Sequence, residues 1–264
     1  MPSATLNGVE VYFERRGSGP PLLFLNGSGA SLASMGLLLE PFAERCDVLA
    51  HDQRGLGRTA VPPGPYTMAD YAADAAALVD HVGWERCRVV GVSFGGMVAL
   101  ELAVTRPERV ERLALLCTSA GGAGGASYPL HELADLAADE RAAVEPLLLD
   151  TRFTPDRLAS HPFDRGLAEL MAARASTPRS AEQRRGEHEQ LQARRHHDVF
   201  DRLGRISCPT LVAAGRYDGI APPANSEAIA AAVPGAELRL YDGGHAFFVQ
   251  DPRAFPEITG WLAT

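Results

Sequence analysis

Apolar residues along this chain fall into two recurring patterns. Short, mainly apolar runs occur at residues 22–25, 48–50, 89–92, 113–117, 210–214 and, interrupted by Arg239, 238–241. Runs of this length and composition predict strands covered on both faces. Between them, apolar residues recur at helical spacing. Tyr71, Ala75, Leu78, Val79 and Val82 fall on one face of a helix that Thr67 caps, with Asp70 at its third position, and that Gly83 ends. A helix is expected over 31–44, broken or bent at Gly36 and Pro41, and another over 224–233. A last helix is predicted to begin at Asp251 and Pro252, or later because of Pro256, with Phe255, Ile258, Trp261 and Leu262 inward. Residues 5–14 read as a hairpin about Asn7-Gly8.

Alternating strands and helices predict an α/β fold: a mostly parallel twisted sheet with helices on both faces and right-handed crossovers. From about Tyr128 to Arg205 the strand pattern lapses and Ala-, Arg- and Glu-rich helical patterns replace it. Thr154-Pro155 marks one helix start, and Ser180 with Gln183 predicts a capping box for a charged helix ending near Asp198. The expected organisation is a core domain of residues 1–120 and 206–264, with a helical cap, 121–205, inserted after the sixth strand.

The stretch from Val89 to Met97 joins a strand to a helix through Gly91-x-Ser93-x-Gly95. This spacing is that of a nucleophile elbow, in which glycines leave room for a serine on a tight strand-to-helix turn. In a parallel α/β sheet, reactive groups belong at the carboxyl ends of the strands. Three other strand ends there carry suitable chemistry: Asn26-Gly27-Ser28-Gly29, Gly215-Arg216-Tyr217-Asp218 and Asp242-Gly243-Gly244-His245. Serine, acid and histidine thus stand in the chain order of this fold. Ser93 is the candidate nucleophile, His245 its base, and Asp218 the group that orients the imidazole. The backbone N–H groups of Ser28 and Phe94 are the candidate oxyanion donors. Asp242 is too near His245 in sequence to orient it, and Asp52 is expected to tie down its own loop with Arg54. His51 is expected to be structural, His131, His161, His188, His196 and His197 mostly solvated, and Arg194-Arg195 a wet helix face.

Composition narrows the alternatives. With 46% hydrophobic and 22% charged residues, the 264-residue chain has the make-up of an ordinary globular domain. The net charge of -8 and the absence of a basic tract argue against nucleic acid as a partner. No apolar run approaches the roughly 20 residues that span a bilayer, so no membrane partner is expected. The first residues show no secretory pattern, and Cys46, Cys87, Cys117 and Cys208 are widely spaced, so a cytoplasmic protein with small buried thiols is expected. All 25 cations are arginine. Without lysine, Schiff-base chemistry and a phosphate-binding Gly-Lys-Ser/Thr loop are excluded. No cofactor and no metal is expected.

The segments Asp52-Gln53-Arg54-Gly55-Leu56-Gly57-Arg58, Pro62-Pro63-Gly64-Pro65-Tyr66 and Gly91-Val92-Ser93-Phe94-Gly95-Gly96-Met97 resemble those of the α/β-hydrolases, in particular the subgroup around the 3-oxoadipate enol-lactonases. Asn26-Gly27 stands where many family members have His-Gly, and the enol-lactonase group tends to carry Asn there. The resemblance covers essentially all of the chain outside the cap. It implies an α/β-hydrolase fold and hydrolysis of a small ester or lactone by a Ser-Asp-His triad. The expected partner is therefore a small-molecule ester or lactone. A cap without tryptophan departs from the enol-lactonase pattern; Trp84 and Trp261 both lie outside it. The same triad also suits a cofactor-free perhydrolase of haloperoxidase type, or a C–C bond hydrolase. A receptor that keeps the fold but only binds is the competing non-enzyme class, and a serine on a strained corner counts against it.

Overall fold

The computed structural model describes residues 2–175 and 177–264. In chain order the elements are β1 (Ser3–Leu6), β2 (Val9–Gly17), β3 (Pro21–Leu25), α1 (Leu32–Ala43), β4 (Asp47–His51), α2 (Met68–His81), β5 (Cys87–Val92), α3 (Phe94–Thr105) and β6 (Val110–Leu116). There follow α4 (Ala138–Leu149), α5 (Pro155–Ser160), α6 (Pro162–Ala175), α7 (Ala181–Arg195), β7 (Thr210–Gly215), α8 (Pro223–Ala232), β8 (Glu237–Tyr241), α9 (Phe247–Gln250) and α10 (Ala254–Ala263).

The strands form one eight-stranded sheet in the order β1-β2-β4-β3-β5-β6-β7-β8. The pairs β1–β2 and β2–β4 are antiparallel and the rest are parallel. The β1–β2 hairpin turns at Asn7 and Gly8, both at positive φ, as its two-residue loop requires. β5 and β7 are buried at every position, which is why their sequences show no alternation. Two hydrophobic clusters, one on each face of the sheet, form the core.

Several local expectations resolve differently. α1 runs unbroken through Gly36 and Pro41; Pro41 lies in its last turn, where a missing ladder bond weakens little of the helix. α10 starts at Ala254, and Pro256 sits in its first turn, where an N–H would lack a partner anyway. Asp251 does not start that helix. Its carboxylate accepts the Asp242 and Arg253 amides between α9 and α10. α2 has both halves of the capping box at Thr67 and Asp70, and α7 has the same at Ser180 and Gln183 but ends at Arg195. All four cysteines are buried and unpaired. No helix among the described residues is long and apolar enough to cross a membrane.

The helices between β6 and β7 reach back onto the carboxyl ends of the strands. α7 is central to this. Gly186 meets Gly55 so closely that a Cβ there would strike the Gly55 carbonyl. Arg185 donates to the Val61 and Pro62 carbonyls, at 2.7 Å each. After α7, Arg202 forms a two-pronged ion pair, 2.8 and 2.7 Å, with Glu101 in the buried middle of α3.

Candidate active site

Ser93 stands between β5 and α3 with φ 55° and ψ -116°, a backbone conformation that L-residues rarely adopt. The neighbouring glycines explain how it is tolerated. A Cβ on Gly91 would strike the Gly95 carbonyl, and one on Gly95 would strike that of Leu25. The corner is further held by Ser93 N–H donating to the Leu116 carbonyl at 2.8 Å and by Thr118 Oγ1 donating to the Ser93 carbonyl at 2.7 Å.

Asp218 follows β7 and His245 follows β8, and the sheet order β5-β6-β7-β8 brings both to the serine. His245 Nε2 lies 3.0 Å from Ser93 Oγ. Its Nδ1 lies 2.8 Å from Asp218 Oδ2 and 3.0 Å from Oδ1. The Asp218 side chain is fully buried, and Oδ1 also accepts the amides of Ile220 and Ala221, at 2.8 Å each. Those donors satisfy a charge that burial would otherwise penalise. Asp242 faces away and pairs with Arg152 at 2.8 Å.

The end of α4 ties the two loops together, a role no sequence pattern announces. The Leu148 carbonyl accepts Gly219 N–H at 3.2 Å, and the Leu149 carbonyl accepts His245 N–H at 2.6 Å. Buried Asp150 accepts from Gln250 Nε2 at 2.9 Å, while Gln250 Oε1 accepts Gly244 N–H at 2.8 Å.

The loop after β3 lies against the elbow. A Cβ on Gly27 would sit 3.5 Å from that of Ser93. Among the described residues, the Ser28 and Phe94 amides donate to no protein acceptor. The Phe94 amide is one of the orphan donors of a helix start. Gln190, buried on α7, accepts Gly29 N–H through Oε1 at 2.8 Å and so fixes the peptide next to Ser28. Sequence reading missed Gln190, because it lies more than 160 residues from the loop it holds. Gln190→Leu is expected to lower kcat on a short aryl ester about 10-fold or more with little change in KM if the Ser28 amide is an oxyanion donor, because misaiming such a donor acts mainly on the transition state. Steady-state kinetics beside a thermal melt separates this from loss of fold.

The remaining charged candidates sort by burial. Asp52 accepts the amides of Leu32 at 2.6 Å and Arg58 at 2.8 Å, so it does tie down its loop, but not through Arg54. Arg54 instead makes a bidentate pair with Asp74 on α2, at 2.7 and 2.9 Å. His161, His188 and His196 are exposed and His131 is half-buried. His197 is buried, against expectation, as is Arg194; Arg195 is exposed. Successive helical residues point about 100° apart, so adjacent arginines need not share an environment.

His51 and His197 carry ring nitrogens without protein partners, and burial pushes both pKa values down to about 4. Asp74 near His51, and Glu101, a contact with the Ser119 backbone and Asp198 near His197, oppose that shift only in part; Arg202 adds to it at His197. In the unfolded chain both rings titrate near 6.5, so between about 6.5 and 4 the unfolded state binds more protons. Stability is expected to be full above that window and to fall through it as pH drops, by up to about 3 kcal/mol per histidine. Urea unfolding across the window checks this, and His197→Asn is expected to flatten the slope.

Cys117 Sγ, Asp218 and His245 place ligand atoms within 4.8 Å of one another, the one such group among the described residues. The set does not fit a metal ion. Burial pushes the Cys117 thiol well above its ordinary pKa, and His245 Nδ1 and the carboxylate are already engaged with each other.

A mostly parallel sheet bearing a strained serine at the end of β5, beside a buried acid after β7 and a histidine after β8, has the arrangement of the α/β-hydrolase class. The chain belongs to that family: residues 20–252 match the model of the alpha/beta hydrolase fold. It is 34% identical over 259 residues to a putative carbamate hydrolase RutD of Variovorax paradoxus, covering 94% of this chain and 93% of the other. It is 32% identical over 238 residues to a poly(3-hydroxyalkanoate) depolymerase of Ectopseudomonas oleovorans, covering 90% and 82%. A 3-oxoadipate enol-lactonase 2 of Acinetobacter baylyi is 27% identical over 246 residues, covering 89% and 85%. Among solved structures, a hydrolase from Pseudomonas aeruginosa superposes with a TM-score of 0.80 at 30% identity, covering 99% and 97%. The resemblance to the α/β-hydrolases read from residues 52–58, 62–66 and 91–97 thus holds.

Proposed function

We propose that this protein hydrolyses a carboxylic ester or lactone of a small molecule through an acyl-Ser93 intermediate. It acts on ester bonds, as do relatives whose names specify a lactone or a polyester. His245 Nε2 takes the Ser93 proton as Oγ attacks the carbonyl carbon. Asp218 holds the imidazole with its proton on Nδ1 and stabilises the imidazolium. The Ser28 and Phe94 amides receive the oxyanion. The imidazolium then protonates the departing alcohol oxygen, which in a lactone stays tethered to the acyl group. A water, deprotonated by His245, releases the acid and restores the serine.

The observation that carries this reading is the unbroken line of polar contacts from Asp218 through His245 to Ser93, at 2.8 and 3.0 Å. The helices of residues 121–205 act as a cap that shapes the substrate pocket. The unpaired buried thiols suit a reducing compartment, the cytoplasm. Rapid quench of a slow aryl ester followed by peptide mass spectrometry tests the mechanism. An acyl mass on the peptide carrying Ser93 is expected, and turnover with no acyl-enzyme at any time rejects it.

A further inference from the structure

Asn26 follows β3, and Gln53 follows β4, its parallel neighbour in the sheet. Both are buried, Asn26 wholly and Gln53 to 1% exposure. Three consecutive residues at the end of β4 grip the loop that carries Ser28. The His51 carbonyl accepts Asn26 Nδ2 at 3.3 Å, Asp52 accepts the Leu32 amide where α1 begins, and Gln53 Nε2 donates to the Asn26 carbonyl at 2.7 Å. Of the three, the Gln53 bond is the one that holds the backbone peptide leading into Gly27 and Ser28.

The acceptor decides how the Gln53 amide lies. A carbonyl can only accept, so the nitrogen must face Asn26. Oε1 is then left buried without a protein partner, and the bond to Asn26 is the one hydrogen bond of this side chain among the described residues. An unpaired buried acceptor is destabilising. For packing alone, methionine would fill the same place without that cost. The donation to Asn26 is what glutamine adds. The held carbonyl also lies against the elbow: a Cβ on Gly95 would come within 2.6 Å of the Asn26 oxygen, and one on Gly27 would sit 3.5 Å from that of Ser93. The Asn26 oxygen thus stands between the Gln53 amide and Gly95, and turning its peptide would carry Gly27 and Ser28 with it. Gln190 holds the other side of Ser28 at Gly29 N–H. Ser28 is therefore flanked by two buried amide side chains, one from the core and one from an inserted helix.

We infer that Gln53 is a positioning residue for ester hydrolysis: by fixing the Asn26–Gly27 peptide it aims the Ser28 N–H at the oxygen that becomes negative when Ser93 attacks. This rests on the proposed acyl-Ser93 mechanism and adds a residue that acts through the loop, not on the substrate. Gln53→Met keeps the length and bulk of the side chain and removes the donor. Its melting temperature is expected within a few degrees of the wild type, because the orphaned Oε1 goes with the donor. On a short aryl ester kcat is expected to fall about 10- to 100-fold, with KM changed less than about threefold. An arylboronic acid gives a second readout. Its boron bonds to Ser93 Oγ, whose proton passes to His245, and the tetrahedral boronate places an oxygen where the oxyanion forms. Its inhibition constant is expected to weaken by about the same factor as kcat/KM, while the planar carboxylic acid product inhibits as before. Gln53→Asn, whose amide is one methylene too short, is expected to behave like Gln53→Met. Unchanged kcat in either folded variant, or equal losses of affinity for boronic acid and product, overturns the role. So does failure of both variants to fold, which would make Gln53 a residue of the fold alone. The hydrolase reading fails separately, if Ser93→Ala still turns over the ester.

Discussion

Ser93→Ala is expected to lower kcat on a short-chain nitrophenyl ester by on the order of a million-fold, to the residual rate that binding and the oxyanion donors supply. The variant removes the proposed nucleophile and leaves its surroundings in place. Ser93 Oγ has His245 Nε2 as its polar contact at 3.0 Å, and the corner is held by backbone bonds to Leu116 and from Thr118 that alanine retains. Folding should therefore survive, with a melting temperature within a few degrees of the wild type. Alanine keeps the strained backbone at φ 55°, so the strain itself changes little. Retention of more than a few per cent of the activity would mean that another group attacks the ester, and the assignment of Ser93 would be wrong.

Asp218→Asn is expected to cost on the order of 10⁴-fold in kcat at neutral pH with little change in fold. The reason lies in how the carboxylate is held. Oδ1 accepts the Ile220 and Ala221 amides, so an asparagine oxygen must occupy that position. The amide nitrogen then falls where Oδ2 stands, 2.8 Å from His245 Nδ1. Facing a donor, Nδ1 becomes an acceptor and the ring proton moves to Nε2, toward Ser93. The imidazole then cannot take the serine proton. Steady-state kinetics with a thermal melt measures the effect. A loss under 10-fold, with the fold intact, would show that Asp218 does not set the tautomer.

The site also depends on parts that lie far apart in the chain. The end of α4 binds the Asp218 and His245 loops through Leu148 and Leu149, and α7 reaches the Ser28 loop through Gln190. A change in the inserted helices therefore reaches the reacting groups through backbone hydrogen bonds, not only through the shape of the pocket. This is the physical basis for expecting Gln190→Leu to act on kcat.

The amino-acid sequence alone determined the alternation of strands and helices, the hairpin at Asn7-Gly8, the capping boxes at Thr67 and Ser180, and the elbow at Ser93. Each is a local matter of side-chain spacing, a cap or a missing Cβ within a few residues. It also determined the order of Ser93, Asp218 and His245, because in a parallel sheet strand ends are where loops carry reactive groups. The tertiary structure alone decided which face of α7 is dry. Gln190 and Arg194 look like ordinary polar residues of a charged helix, and the pairing of Arg54 with Asp74 is invisible along the chain. Burial and unpaired charge are properties of what packs against a side chain. For these residues the packing partners lie 20 to more than 160 positions away, beyond the reach of any local pattern.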